Sequence, residues 1–283
     1  MEFLDAHTHV QFSAYNDDRE EVIRRARDAG VRMVNVGTQR DTSRAAVELA
    51  EKHEGLYAAI GLHPVHTSAS FHDASELGGG EGAKAFTSRG EVFDIEYYRA
   101  LARHPKTVAI GECGLDYFHF NESESREEQV RKQKAALLAQ IALSGEVKKP
   151  LMIHCRDAFA DLIAFLTEHR AQLSDVNPGI LHFFTGTSDE TRALLDLGFS
   201  FTFGGVITFA RSYDEIIKLI PPDRLLSETD APYVTPAPYR GKRNEPAYVV
   251  EIVKKLAELK NVSVDEMRGQ IAENAERIFG IAV

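Results

Sequence analysis

Along this chain, short runs of β-branched and aromatic residues alternate with longer segments whose apolar positions recur at helical spacing. Strands buried on both faces read as continuous apolar runs, and the helices that cover them show one apolar stripe, so the alternation predicts repeated βα units around a parallel sheet. Eight runs qualify as strands, at 3–10, 32–38, 57–63, 107–113, 151–155, 180–184, 199–205 and 225–229. Eight such units point to a closed α/β (β/α)8 TIM barrel, although an open doubly wound sheet gives a similar alternation. Val249, Ile252, Val253, Leu256 and Leu259, following Asn244-Glu-Pro246, predict a helix with one buried face. Ser263 with Glu266 three residues on reads as a capping box that opens a C-terminal helix through Ile271 and Ile278.

The stretch 66–94 breaks the pattern, with polar residues giving way to Gly78-Gly79-Gly80 and Gly82. It is too short and too rich in glycine for a domain of its own, so it reads as an extended loop after the third strand. Loops in that position form the mouth of a barrel, and this one is either a lid or a surface insertion. One TIM-barrel domain spanning 1–283 is expected.

Composition narrows the classes of function. The chain is 43% hydrophobic and 27% charged, as ordinary soluble globular proteins are. No run of 18 or more apolar residues and no signal-like N-terminus is present, so no membrane association is expected. Two cysteines, Cys113 and Cys155, suit a reduced, cytoplasmic setting better than a disulfide framework; each directly follows a candidate site residue and is expected to point out of the barrel. The 33 Lys and Arg against 43 Asp and Glu give a net charge of −10, which disfavours unspecific coating of long duplex DNA. A nucleic-acid substrate would have to be held locally.

Chemistry enters with Asp5-Ala-His7-Thr-His9, where the period of a strand puts both imidazoles on one face as a metal clamp. Glu112 lies in a strongly apolar run where a lone carboxylate is costly to bury, His154 ends Leu151-Met-Ile-His154, His182 lies in Ile180-Leu-His-Phe-Phe184, and Asp230 closes Glu228-Thr-Asp230. Four histidines and two carboxylates at strand ends form a candidate metal set. Asp116 and Glu228 are candidates to orient ligands from behind.

These segments resemble the TatD family of metal-dependent deoxyribonucleases, within the amidohydrolase-like barrels. The resemblance runs through Asp5-Ala-His-Thr-His9, Gly61-Leu-His-Pro64, Gly111-Glu-Cys-Gly-Leu-Asp-Tyr117, His154-Cys-Arg-Asp-Ala158, Glu228-Thr-Asp-Ala-Pro-Tyr233 and Arg243-Asn-Glu-Pro246. It implies two divalent ions and hydrolysis of DNA phosphodiesters, commonly from a 3′ end. By that resemblance His7, His9 and Asp230 hold one ion, His154 and His182 the other, and Glu112 bridges both. Physical chemistry agrees, since a bridging carboxylate holds two cations about 3.5–4 Å apart and water shared between them becomes hydroxide near neutral pH. Asp230 and Glu112 are the expected catalytic pair, with Asp230 orienting or deprotonating that water. Histidine-rich ligation suits Zn²⁺, Mn²⁺, Co²⁺ or Fe²⁺, whereas Mg²⁺ prefers oxygen, so the metal stays open.

Six further residues are candidates for substrate contact. His63 and Arg156 face the same side as the ligands of their strands and offer donors to a phosphate, the alternatives being a loop-packing histidine and a salt bridge with Asp157 or another acid. Tyr117 and Tyr233 either stack on a base or pack at the mouth. Arg243, in the basic cluster Arg240-Gly-Lys-Arg243, suits the phosphates of a single strand, and Asn244 beside it is either a contact or a helix N-cap. The expected function is a 3′→5′ exodeoxyribonuclease acting on single-stranded ends, with no obligate protein partner. A metal-dependent amide or ester hydrolase, such as an aminoacyl-ester deacylase, and a catalytically silent scaffold are the rivals.

Overall fold

The computed structural model describes residues 2–69 and 90–283, together with the backbone of 71–72 and 86–87. Among them, eight parallel strands form one sheet in chain order: β1 (Phe3–Thr8), β2 (Val31–Val36), β3 (Leu56–Ile60), β4 (Thr107–Asp116), β5 (Leu151–Arg156), β6 (Gly179–Leu181), β7 (Ser200–Phe203) and β8 (Leu225–Ser227). The sheet returns on itself. Ser227 Oγ donates to Leu4 O at 2.6 Å, Asp230 N to His7 O at 2.9 Å and His9 N to Ala231 O at 2.9 Å, so the last strand lies against the first. With helices between the strands this is the expected (β/α)8 TIM barrel, and the tie with an open sheet is resolved.

The covering helices are α1 (Arg19–Asp28), α2 (Arg40–Lys52), α3 (Ile95–Ala102), α4 (Arg126–Val147), α5 (Phe159–Glu168), α6 (Ser188–Asp196), α7 (Asp214–Leu219), α8 (Val249–Lys260) and α9 (Val264–Phe279). The stripe expected on α8 is buried at Val249, Ile252, Val253, Leu256 and Leu259, each side chain stabilising by about 1.5–3 kcal/mol. Helix α9 opens on the capping box: Glu266 N donates to Ser263 Oγ at 3.2 Å, and Ser263 N donates to the Glu266 carboxylate at 2.8 Å. It ends at Gly280, whose φ of 68° fits the left-handed turn of a C-cap.

Six strands stop two or three residues before their apolar runs end, and two of these ends are followed by residues with positive φ. The run at 180–184 leaves the sheet after Leu181 because Phe183 turns to φ 45°, and the run at 225–229 leaves after Ser227, ahead of Asp230 at φ 53°. Strand β4 instead runs on to Asp116, with every residue buried. Its two glycines explain how it fits. Gly111 and Gly114 stand at φ 152° and 142°, and a Cβ there would collide with the carbonyl oxygens of Met152 and His154. Only glycine lets β4 lie so close to β5 on either side of Glu112.

Helix α4 carries three buried glutamines, Gln129, Gln133 and Gln140, and each amide both donates to and accepts from the backbone of one residue on the catalytic side, Gln129 and Gln140 donating also to Glu124 O and Ala136 O. Gln133 donates to Asp116 O and accepts from Asp116 N, both at 2.9 Å. Gln140 treats Leu62 likewise at 3.0 and 2.9 Å, and Gln129 treats Asn121 at 2.9 Å both ways. The side chains act as short strand partners for backbone at the end of β4 and beyond the ends of β3 and β4.

An extended connection does follow β3, since α3 begins only at Ile95. Its described parts are a 3-10 turn at Pro64–Thr67 and an antiparallel pairing of Phe71–His72 with Phe86–Thr87. The choice between lid and surface insertion for 66–94 falls largely outside the described residues. Among the described residues no helix is long and apolar enough to cross a membrane.

Candidate metal centre

All six expected ligands converge at the C-terminal end of the barrel. His7 lies on β1 and His9 one residue past it, separated by a strand period, and both rings are buried. Their Nε2 atoms are 3.1 Å apart. Asp230 Oδ1 lies 3.3 Å from His9 Nε2 and 3.8 Å from His7 Nε2. The second group gathers on Glu112 Oε1, which is 2.8 Å from His182 Nε2 and 3.1 Å from His154 Nδ1, those two nitrogens being 3.3 Å apart. Glu112 Oε2 faces the other way, 3.5 Å from His7 Nε2. Glu112 sits four residues before the end of β4, within the strand rather than at its tip, and its carboxylate lies between the two groups.

Several observations fit these residues to cations. With metal–nitrogen bonds of about 2.0–2.1 Å, neighbouring ligand atoms in tetrahedral or octahedral sites lie roughly 2.9–3.4 Å apart, close to most of the separations above. His9 Nδ1 donates to Val36 O at 2.8 Å, which leaves its Nε2 as a bare lone pair aimed at His7. His154 Nε2 lies 3.0 Å from Asp116 Oδ2, which leaves Nδ1 bare toward Glu112. Among the described residues, every ion-pair partner of Glu112, Asp116, Glu228 and Asp230 is a histidine, and no lysine or arginine offsets these carboxylates. Such a donor set, rich in lone pairs and negative charge and nearly closed to water, calls for cations.

The electrostatics keep the acids ionised. Burial alone would raise the Glu112 carboxyl, but His63, His182, His7 and His154 around it hold it well below the usual carboxylate range. Asp230 is lowered in the same way, by His9, His7 and His182 against burial. Glu228 is committed to the fold: it accepts from Phe183 N at 2.7 Å and from Thr202 Oγ1, and its Oε1 lies 3.5 Å from His182 Nδ1. Asp116 accepts from Phe118 N and His119 N with one oxygen and faces His119 Nδ1 and His154 Nε2 with the other. These are the supporting positions expected for both residues, and His119 is a partner that the sequence reading did not single out.

The family model described as TatD related DNase matches residues 4–280. The chain belongs to the TatD family. It is 41% identical over 281 residues to "Uncharacterized metal-dependent hydrolase YabD" of Bacillus subtilis, covering 98% of this chain and 99% of that one. It is 38% identical over 285 residues to "3'-5' ssDNA/RNA exonuclease TatD" of Pantoea vagans, covering 97% of each. Among solved structures, the TatD homologue YJJV of Escherichia coli superposes with a TM-score of 0.80 at 26% identity, covering 99% and 98% of the two chains. This TatD-family chain is thus a metal-dependent hydrolase.

The remaining expected residues of this TatD-family chain divide. His63 joins the centre, its Nε2 3.2 Å from Glu112 Oε1. Its Nδ1 accepts from Val65 N at 3.2 Å, and burial pushes its pKa down to about 4, so near neutral pH the ring is uncharged with its proton on Nε2. It therefore faces the cluster as a donor rather than a lone pair. Arg156 is exposed at the end of β5, its guanidinium 3.8 Å over the Phe118 ring, and it makes no salt bridge to Asp157. Tyr117 donates to Asp161 at 2.7 Å, and Tyr233 stands edge-on to His9 at 6.2 Å.

Arg243 and Asn244 are held elsewhere than an open substrate path. Arg243 donates to Ala14 O at 2.7 Å and Asp18 at 2.6 Å while stacking on Tyr15. Asn244 is buried, donating to Thr229 O and Tyr233 O and accepting from Glu245 N. Nor is Asn244 a helix cap, since the turn leading into α8 starts after Glu245. Both residues brace the loop that delivers Asp230. Cys113 and Cys155 are buried free thiols, with Cys113 packed against the carbonyls of Ile110 and Met152.

Proposed function

We propose that this chain is a two-metal-ion phosphodiesterase that trims single-stranded DNA from the 3′ end, working in the cytoplasm. The division of the Glu112 carboxylate, one oxygen toward His7 and the other toward His154 and His182, carries the two-ion reading. His7, His9 and Asp230 would hold one ion and His154 with His182 the second. When bound, such a pair supplies Lewis acidity to a phosphoryl group and lowers the pKa of water. Nitrogen-rich ligation favours Zn²⁺, Mn²⁺, Co²⁺ or Fe²⁺ over Mg²⁺. The name of the Pantoea vagans relative supports the polarity and the single-stranded substrate.

The chain's own residues supply the rest. Asp230, its carboxyl lowered by the histidines around it although largely buried, would accept a proton from the attacking water. His63 offers its Nε2 proton to a phosphoryl oxygen, and Arg156, exposed and without a carboxylate partner among the described residues, offers a planar fork to a neighbouring phosphate. Tyr117 and Tyr233 border the approach.

Metal analysis and digestion of a 5′-labelled single strand with added Mn²⁺ test the reading together. The wild type should bind two ions per chain and shorten the strand stepwise from its 3′ end. Glu112→Ala should bind fewer ions and lose at least about 100-fold in rate. Equal digestion by both proteins would end the assignment, and turnover of an aminoacyl ester without digestion would favour the acyl-hydrolase rival.

A further inference from the structure

The described residues leave two aromatic side chains exposed, Phe118 at 54% and Phe209 at 44%. Both stand on βα loops at the catalytic end of the barrel, Phe118 just after β4 and Phe209 after β7. Each lies under an arginine. Arg156, from the end of β5, is 3.8 Å from the centroid of Phe118, and Arg240, from the loop after β8, is 4.1 Å from that of Phe209. Phe118 thus belongs to the β4–β5 side of the mouth and Phe209 to the β7–β8 side, with β6 between them in the ring and the ligand cluster inside it.

Burial would have removed apolar rings from water, so two phenylalanines left in the open at the one end that carries chemistry require an account. Packing alone supplies none: an arginine over one face leaves about half of each side chain exposed. Charge supplies the second observation. In a chain of net charge −10, neither Arg156 nor Arg240 forms an ion pair among the described residues, and there Arg240 makes one bond, to Thr235 O at 2.9 Å. Arg25 and Arg243, by contrast, are paired with Glu245 and Asp18. Unneutralised guanidinium planes stacked on exposed rings offer a cation for a phosphate and a π-face for a base, the combination that grips unpaired strands regardless of sequence.

We propose that Phe118 with Arg156, and Phe209 with Arg240, are two stacking platforms that hold unpaired nucleobases on either side of the metal centre. This rests on the nuclease reading and deepens it: the substrate is recognised through its bases as well as its backbone. A duplex keeps its bases stacked inside and cannot use either ring, so the platforms select single strands. Two platforms around one centre hold the strand on both sides of the scissile phosphate, which fixes that phosphate against the cluster.

The test compares two 5′-labelled strands of equal length, one of thymidines and one with tetrahydrofuran abasic units in place of every nucleoside, digested by the full chain with Mn²⁺. The wild type should show a KM for the abasic strand at least about fivefold above that for the thymidine strand. Phe118→Ala and Phe209→Ala should each bring that ratio toward one by raising the thymidine KM, and Phe118→Trp and Phe209→Trp should restore it. Alanine variants that keep the wild-type ratio, or tryptophan variants that lose it as alanine does, overturn the platforms and leave the nuclease reading standing. A wild type that digests neither strand removes the nuclease reading, and the platforms with it.

Discussion

At His154 the two ring nitrogens have different tasks: Nδ1 turns toward Glu112 and His182, while Nε2 is held by Asp116. Asp116 also accepts from His119, so replacing it with asparagine puts an NH2 group where two imidazole N–H groups need acceptors. Asp116→Asn should weaken metal binding by about 10–100-fold, read by competition with a chromogenic chelator; an unchanged affinity would take Asp116 out of the centre. Asp18 gives a prediction in pH. The hydrogen bond from Arg243 holds its carboxyl below the ordinary value, against a smaller opposing effect of burial. A folded-state pKa below the unfolded one stabilises above the unfolded value, near ~3.9, and that stability is lost as pH falls through the lower folded value. Asp18→Asn should therefore cost about 1 kcal/mol or less at pH 7 in urea denaturation, the difference closing as acid protonates the wild type. The Asp18 to Arg243 pair also shows where reading residues from sequence stops. The basic cluster at 240–243 was visible as charge, but which arginine faces an acid of the fold and which faces water depends on residues more than two hundred positions away.

Helix α4 shows the same limit for elements. The eight strands were legible because burial on both faces leaves a continuous apolar signature, and α8 and α9 because one has a clean stripe and the other a capping box. The glutamines of α4 had no such signal, since a glutamine bound to a buried backbone and one in water look alike in sequence. Phe118 and Phe209 mislead in the opposite sense, because an apolar letter implies a buried position. Gln133→Ala would leave the N–H and C=O of Asp116 buried without partners, and should cost about 2–4 kcal/mol in chemical denaturation. A cost below about 0.5 kcal/mol would mean that water replaces the amide. The ligands themselves were readable because chemistry restricts their type and the strand period fixes their direction. What the sequence did not disclose was that Glu112 lies inside β4, flanked by two glycines that bring β5 close.

For the molecule as a whole, the proposed metal centre predicts that stability depends on cations. Free divalent ion at about 100 times its dissociation constant should add about 2.7 kcal/mol, or roughly 5–10 °C in melting temperature for a chain of this size. Differential scanning calorimetry with and without EDTA checks this, and identical transitions would mean that the site is not a resident metal centre. The seam between β1 and β8 has a further consequence. His7 and His9 precede Asp230 by more than two hundred positions, yet the bonds that close the barrel and the carboxylate that faces both imidazoles belong to the same short stretch around Asp230. Docking of β8 against β1 therefore joins the barrel and brings the Asp230 carboxylate to His7 and His9 in one event, and a barrel left open at that seam lacks both.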